Sequence, residues 1–341
     1  MQKLNLPKDF TSRPITLEDA KEITDLFNLN SYEMAGINEF FVEGTINNWE
    51  MPGFNLETDS RKVLNSDRNI IAACEVWAVA ETPVHPFVWV RVHPNYRGKG
   101  LGTALTGWGE NRAKKVFDLV PSDARVIMRS STIDGFPPAK ELLENLGMTV
   151  TRYDFDMKIE MNAQPELAKW PEGIIVDTFQ YPNEEQFKAI YLADAEAFQD
   201  HFGFVPEDPV KGFERFKHHF IGAKETFDPD IWFLAMDGKE IAGICLCRKW
   251  SHEDKEMGWV SSLGVRRKWR RRGIGKALLQ HCFLAYWQRG FKKVGLGVDA
   301  DSLTGALSLY KSVGMKVIRR YDSFTKELRA GKDLSTVEVS D

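Results

Sequence analysis

Residues 92–105 read VHPNYRGKGLGTAL, and residues 265–278 read VRRKWRRRGIGKAL. Superimposed, they match at Val92 and Val265, Arg97 and Arg270, Gly100 and Gly273, Gly102 and Gly275, Ala104 and Ala277, and Leu105 and Leu278. An aromatic also recurs, as Tyr96 and Trp269, and the offset from Arg97 to Arg270 is 173 residues. A second pair follows in the same order, AKELLENLGM (139–148) over ALSLYKSVGM (306–315), at an offset of 167 that keeps Gly-Met and the helical apolar spacing. Two segments repeated in one order at nearly one offset predict a duplicated domain. The length of 341 residues agrees, since domains run to about 100–200 residues.

The coarse plan around each repeat is the same. In the second copy a strand at 174–179 leads to Asn183, whose spacing to Gln186 predicts an N-cap and capping box. The helix that follows carries Phe187, Ile190, Tyr191, Asp194 and Phe198 on one face, and another helix is expected over 209–220. IWFLAM (231–236), Asp237-Gly238 and EIAGICLCRK read as a β-hairpin; MGWVSSLGV is a strand entering the Gly-rich turn, and 276–289 a helix. The first copy repeats this, with a helix start at Thr16-Leu17-Glu18-Asp19, strands in IIAACEVWAV and PFVWVRV, and a helix over 103–117. The predicted class is α/β (mixed α+β), each domain a mixed central sheet flanked by helices. The expected division is 1–160, a linker at 161–173 with two prolines, 174–328, and a polar, frayed tail at 329–341.

Composition excludes other classes. Lys plus Arg total 45 against 49 for Asp plus Glu, so the formal charge is −4, too balanced for a chain that coats nucleic acid throughout. The longest apolar runs fall short of the ~18 residues that span a bilayer, and the start, MQKLNLPKDF, lacks the apolar core of a secretory signal, so a cytoplasmic protein without membrane partners is expected. Four cysteines, Cys74, Cys245, Cys247 and Cys282, are too few and too scattered for a disulfide framework. Cys245 and Cys247 share one face of a strand, but no further ligands lie at metal spacing, so packing is expected there and no metal.

The Gly-rich turn carries chemistry. A strand ends, Gly273 and Gly275 make a tight turn, and a helix starts, so unpaired N–H groups converge at a positive dipole end where no Cβ blocks a ligand. Arg270, Arg271, Arg272 and Lys276 add positive potential that suits a polyphosphate. A dinucleotide fingerprint needs G-x-G-x-x-G, which the second copy lacks, and a P-loop needs Gly-Lys-Ser/Thr where Ala277 follows Lys276. Both copies share R-x-x-G-x-G, Arg97–Gly102 and Arg270–Gly275.

This motif, twice between a strand and a long helix, resembles the acyl-CoA pyrophosphate loop of the GNAT N-acetyltransferase superfamily. The resemblance runs from about Arg13 to Leu328, and the second half, with VDADSLTGALSLYKSVGM (298–315), looks most like tandem GNAT proteins of the mycothiol synthase type. It implies acetyl-CoA as cosubstrate, held by main-chain groups of Leu263 and Val265 beside the pantetheine arm and by amides of Arg271, Arg272, Gly273, Ile274 and Gly275 at the pyrophosphate. Lys276 belongs to the same loop, and Ser302 stands where relatives often carry Asn. The first-copy counterparts are Val90, Val92, Arg97, Gly98, Lys99, Gly100, Gly102 and Thr103.

Acyl transfer to an amine needs a neutral amine, a polarised carbonyl and a proton for the departing thiolate. The resemblance puts Tyr310 at the general acid position, against the plainer reading of a ring packed in an amphipathic helix. The first copy has Leu143 at that place, so the second domain is expected to be catalytic and the first degenerate. Where many relatives carry a basic Glu, this chain has Trp259 and Pro86; Glu256, backed by Glu253 and His252, is the nearest substitute, unless SHEDKE is only an exposed turn or bulk water takes the proton. An acceptor groove is expected at Asp200, His201 and Phe202, in an aromatic segment that core packing would equally explain. The reading is an N-acetyltransferase acting on a small-molecule or peptide amine in a ternary complex. The alternatives are a non-catalytic acyl-CoA sensor and a nucleic-acid module built on the seven basic residues of 266–276, whose first-copy span holds only Arg97 and Lys99.

Overall fold

The computed structural model describes residues 4–302 and 305–337; Leu303 and Thr304, inside the 298–315 stretch, and 338–341, the end of the tail, lie outside it. In chain order the elements begin β1 (Thr11–Arg13), α1 (Ala20–Ala35), α2 (Val42–Trp49), α3 (Leu56–Asp59), β2 (Ser60–Leu64), β3 (Ile70–Trp77), β4 (Phe87–Val92), α4 (Leu101–Ala113), β5 (Val126–Ile133), α5 (Pro137–Asn145) and β6 (Thr149–Glu160). They continue with β7 (Ile174–Thr178), α6 (Glu184–Phe198), α7 (Pro209–Lys217), β8 (Phe227–Asp237), β9 (Glu240–Arg248), β10 (Met257–Val265), α8 (Ile274–Gln288), β11 (Lys293–Asp299), α9 (Ala306–Ser312) and β12 (Lys316–Arg329). Among the described residues no helix is long and apolar enough to cross a membrane.

Local signals explain most boundaries. The Asn183 side chain accepts from the Gln186 N–H at 2.9 Å, the expected cap of α6. The reciprocal half of the box differs, because Gln186 Oε1 accepts from the Gln180 N–H at 2.7 Å rather than turning back to Asn183. The hairpin β8–β9 closes Asp237 against Glu240, with Gly238 at φ 61° supplying the left-handed turn residue.

Two compact units form, and they are not the two halves of the chain. One takes residues 1–152 with 321–334, the other 153–320 with 335–341. This differs from the division at 161–173, and the reason is strand pairing. From Asp154 onward β6 pairs antiparallel with β11, Asp154 opposite Asp299 and Glu160 opposite Lys293. From Tyr321 onward β12 pairs antiparallel with β5, Tyr321 opposite Ile133 and Arg329 opposite Val126. Both strands carry the same tripeptide, Arg152-Tyr153-Asp154 and Arg320-Tyr321-Asp322, so each offers a sheet edge the same pattern.

Each unit has one sheet plan. In the first, β1 to β4 run antiparallel, β4 meets β5 in parallel at Phe87 and Arg129, and β12 closes the order. In the second, β7 to β10 run antiparallel, β10 meets β11 in parallel, and β6 closes it. Apolar side chains fill both sides of the second sheet. Leu278, Cys282, Phe283 and Tyr286 of α8 pack one side, and Phe187 of α6 with Phe213 and Phe216 of α7 pack Trp232 on the other. The tail is bonded rather than frayed as far as Thr336. The Lys332 N–H donates to the Asp123 carbonyl at 2.7 Å, and Thr336 exchanges backbone hydrogen bonds of 2.8 Å with Gly203 and Phe204.

Candidate functional site

The Gly-rich turn has the backbone its sequence predicts. Arg271 lies at φ 63° and Gly273 at φ 87°, and α8 starts directly afterwards at Ile274. In the first unit Gly98 at φ 74° and Gly100 at φ 78° repeat the pattern, so Arg271 holds a left-handed conformation that its counterpart leaves to glycine. Alternating hands aim successive amides at one point, next to the positive end of a helix of four turns or so. Gly275 has a different task. A Cβ there would stand 3.1 Å from Leu309, as one on Gly102 would stand 2.9 Å from Leu142, so this glycine lets the short helix close on the long one.

The basic run is mostly spent on the fold. Arg266 pairs with Glu196, Arg267 and Arg270 with Asp200, Lys268 with Glu240, and Arg272 with Asp237. Arg271 and Lys276 make no ion pair among the described residues, and both line the cavity described next. Arg270 is a strut: its Nε donates to the Val265 carbonyl at 3.1 Å and its Nη2 to the Ala197 carbonyl at 3.0 Å. That bond also occupies the Val265 carbonyl, one of the main-chain groups expected to be open.

A cavity of about 390 Å³ opens where two parallel strands part. β10 and β11 pair from Met257 with Lys293 to Val260 with Leu296 and no further. Past that point β10 stays on β9 to Val265, and β11 stays on β6 to Asp299. The gap is lined by Leu263, Val265, Gly273, Ile274, Gly275 and Ser302, together with Tyr310. A bulge between Val260 and Ser262 breaks the β9 register at the point of divergence, where Ser261 and Ser262 line the cavity. The Ser261 hydroxyl is buried without a hydrogen-bond partner among the described residues.

Tyr310 is carried into the cavity wall by α9, which starts from Gly305 at φ 75°. It is 7% exposed, and burial pushes its phenol well above the ordinary tyrosine range, so the ring keeps its proton across physiological pH. Its hydroxyl makes no hydrogen bond among the described residues. Leu143, its first-unit counterpart, is equally buried and has no proton to give. In that unit the Val90 carbonyl accepts from Arg91 Nη1 at 3.1 Å, and Arg97 is bonded to Asn30 and Glu33 and lies over the Phe136 ring. Lys99 stands 5.1 Å from the Tyr96 ring, and Val92 pairs with Ala72 in the sheet.

Three expected residues are placed elsewhere. Glu256 is exposed on the turn just before β10, its N–H bonded to Asp254, and the cavity begins four residues on, about 13 Å along the extended chain. Its two backers are engaged too, Glu253 with Arg319 and His252 with Arg248. Asp200 is 2% exposed and clamped between Arg267 and Arg270, so it braces the loop from behind instead of facing an amine. Its neighbours His201 and Phe202 do line the cavity. Arg272 does not, because its guanidinium turns to the Glu172 carbonyl and Asp237.

The Asp200 clamp makes a stability prediction. Hydrogen bonding to Arg267 lowers the Asp200 carboxyl below its ordinary range, so it stabilises the fold above the unfolded carboxyl pKa and loses that as pH falls through the lower folded value. Asp200→Asn is expected to cost about 2–3 kcal/mol at pH 7, somewhat less than a fully buried pair because Arg267 stays half exposed. Urea denaturation should show the difference between variant and parent shrinking below pH 4 or so.

Two arrangements escaped the sequence. Cys282 of α8 completes a buried group with Cys245 and Cys247, with Sγ separations of 3.5 Å to Cys247 and 3.7 Å between the strand pair. The hydrogen bond with Cys247 pushes the Cys245 thiol upward, and burial in the apolar core does the same for Cys282. The other is a 2.5 Å hydrogen bond from Ser262 Oγ to Asp194 Oδ1, which connects the cavity wall to α6. A carboxylate on the apolar face of that helix was its signal.

Comparison with known proteins agrees with this geometry. The profile of the Acetyltransferase (GNAT) family matches residues 22–123 and 187–315. The mycothiol acetyltransferase of Thermobispora bispora is 30% identical over 230 residues, covering 65% of this chain and 70% of that protein. That of Streptomyces scabiei is 31% identical over 232 residues, covering 65% and 66%. Among solved structures, a GCN5-related N-acetyltransferase from Sphaerobacter thermophilus is 35% identical with a TM-score of 0.78, covering 98% of this chain and 100% of that one. A tandem GNAT protein from the clavulanic acid biosynthesis pathway, 15% identical with a TM-score of 0.67 over 95% of this chain and 100% of that one, shares the fold. The chain belongs to the GNAT acetyltransferase family and carries two copies of its domain.

Proposed function

We propose that the second unit moves an acetyl group from acetyl-CoA to a primary amine by direct attack in a ternary complex, and that the first unit is a catalytically degenerate copy. The observation that carries this reading is the parting of β10 from β11 beside an amide-rich turn, with Tyr310 in the wall of the opening. A polyphosphate suits the turn, where a Cβ-free Gly273, Arg271 and Lys276 face the cavity. An extended pantetheine arm suits the free strand edges past Val260 and Leu296, and the neutral phenol of Tyr310 suits protonation of a leaving thiolate. The resting thiols play no part: Cys245, Cys247 and Cys282 are sealed in the core, so no acyl-enzyme on cysteine is invoked.

A nucleic-acid role is disfavoured by the ion pairs that neutralise most of the 266–276 run. The test is a panel of polyamines, aminoglycoside-like amines, peptides and cysteinyl-sugars with acetyl-CoA, following released thiol. Release with at least one amine is expected. Tight acetyl-CoA binding without release from any of them would favour a sensor instead.

A further inference from the structure

A bound amine arrives mostly as ammonium, and something must take its proton before the nitrogen can attack. The residue expected to do so, Glu256, lies outside the cavity, on the turn before β10. At the bulge, however, Ser261 and Ser262 line the wall. Ser261 Oγ is buried without a partner among the described residues. Ser262 Oγ donates to Asp194 Oδ1 at 2.5 Å, which leaves the hydroxyl oxygen as an acceptor. We infer that Ser262, polarised by Asp194 behind it, is the group that takes the proton from the acceptor amine in the second unit. The inference rests on the N-acetyltransferase reading and names the base within it.

The step balances. The ammonium gives one proton to Ser262 Oγ as the serine's own proton passes to Asp194 Oδ1. The neutral nitrogen then bonds to the thioester carbonyl carbon, the C–S bond breaks, and the sulfur takes the phenolic proton of Tyr310. The second proton that nitrogen sheds replaces the one Tyr310 gave, by way of solvent, and Asp194 releases its proton to solvent. Nothing is oxidised or reduced.

The surroundings favour a working base. The charges of Asp194 and of Asp208 and Arg215, from the cap and body of α7, all act on the phenol of Tyr191, one turn earlier on α6. From β9 come Ile244 and Leu246 and from β10 Ser262 and Gly264, none of them charged. Burial without a nearby cation raises the carboxyl to about 6, where it is ionised at neutral pH yet basic enough to accept.

The experiment is a pH profile of kcat and kcat/KM from pH 5 to 9 for the full chain, Asp194→Asn, Ser262→Ala and Ser262→Thr, using an amine that the parent acetylates. Acetyl-CoA affinity is measured alongside by calorimetry. Asn and Ala are expected to lower kcat by about 10²-fold or more, to abolish the acid limb near pH 6, and to leave acetyl-CoA affinity unchanged, while Thr, which keeps the hydroxyl, restores much of the rate. Parent-like kcat and an unaltered acid limb in Asp194→Asn and Ser262→Ala would overturn the inference. If the parent itself binds acetyl-CoA but acetylates no amine, the wider reading falls and this one with it, and the two failures are told apart by the parent alone.

Discussion

Tyr310→Phe is expected to lower turnover by about 10²-fold or more while acetyl-CoA still binds with parental affinity. The substitution removes one oxygen and nothing else. Because the hydroxyl makes no hydrogen bond among the described residues, phenylalanine leaves no buried partner unsatisfied, and thermal stability should hardly move. The loss must then come from the departing thiolate. Thiol release under saturating acetyl-CoA measures it, with calorimetry for the affinity. Turnover near the parent's would remove Tyr310 from the acid role, and lost affinity would recast it as a binding residue.

The second large effect belongs to Gly273→Val. At φ 87° a β-branched residue is strained even though open space surrounds the place of its Cβ. Holding the turn would cost about 1–3 kcal/mol, and releasing it would turn away the amides that begin α8. Either way acetyl-CoA affinity should fall by about 10²-fold, whereas the apolar core, untouched because nothing lies within 4 Å of the new Cβ, should keep the protein folded. Calorimetry with acetyl-CoA and a melting curve separate the two. Parental affinity would detach this turn from the cosubstrate.

Much of this was legible because it is local. The repeated R-x-x-G-x-G fixes a backbone whose dihedrals recur at Gly98 and Gly100 and at Arg271 and Gly273. Tyr310 and Leu143 follow from the same alignment. What escaped was decided by packing across elements. Asp200 reads as a carboxylate in an aromatic segment, and only the fold brings Arg267 and Arg270 onto it. Glu256 lies close to the loop in sequence, but an extended β10 carries it away. Asp194 is 68 residues from Ser262, and no spacing rule joins a helix to a bulge at that distance. The tail likewise looked unstructured because its bonds run to 123–125 and 203–204, far away in the chain.

The strand completing the first sheet has a consequence in time. As the chain leaves a ribosome, β5 emerges with one edge open, and its partner from Tyr321 onward is still some 190 residues from synthesis. Phe324, which no water reaches in the finished unit, arrives with it. The earliest part of the molecule is thus among the last to close, and its contacts span a sequence separation that slows folding. Until then β5 is an unpaired template for a stray strand, a hazard that an end-to-end pair of domains would not face.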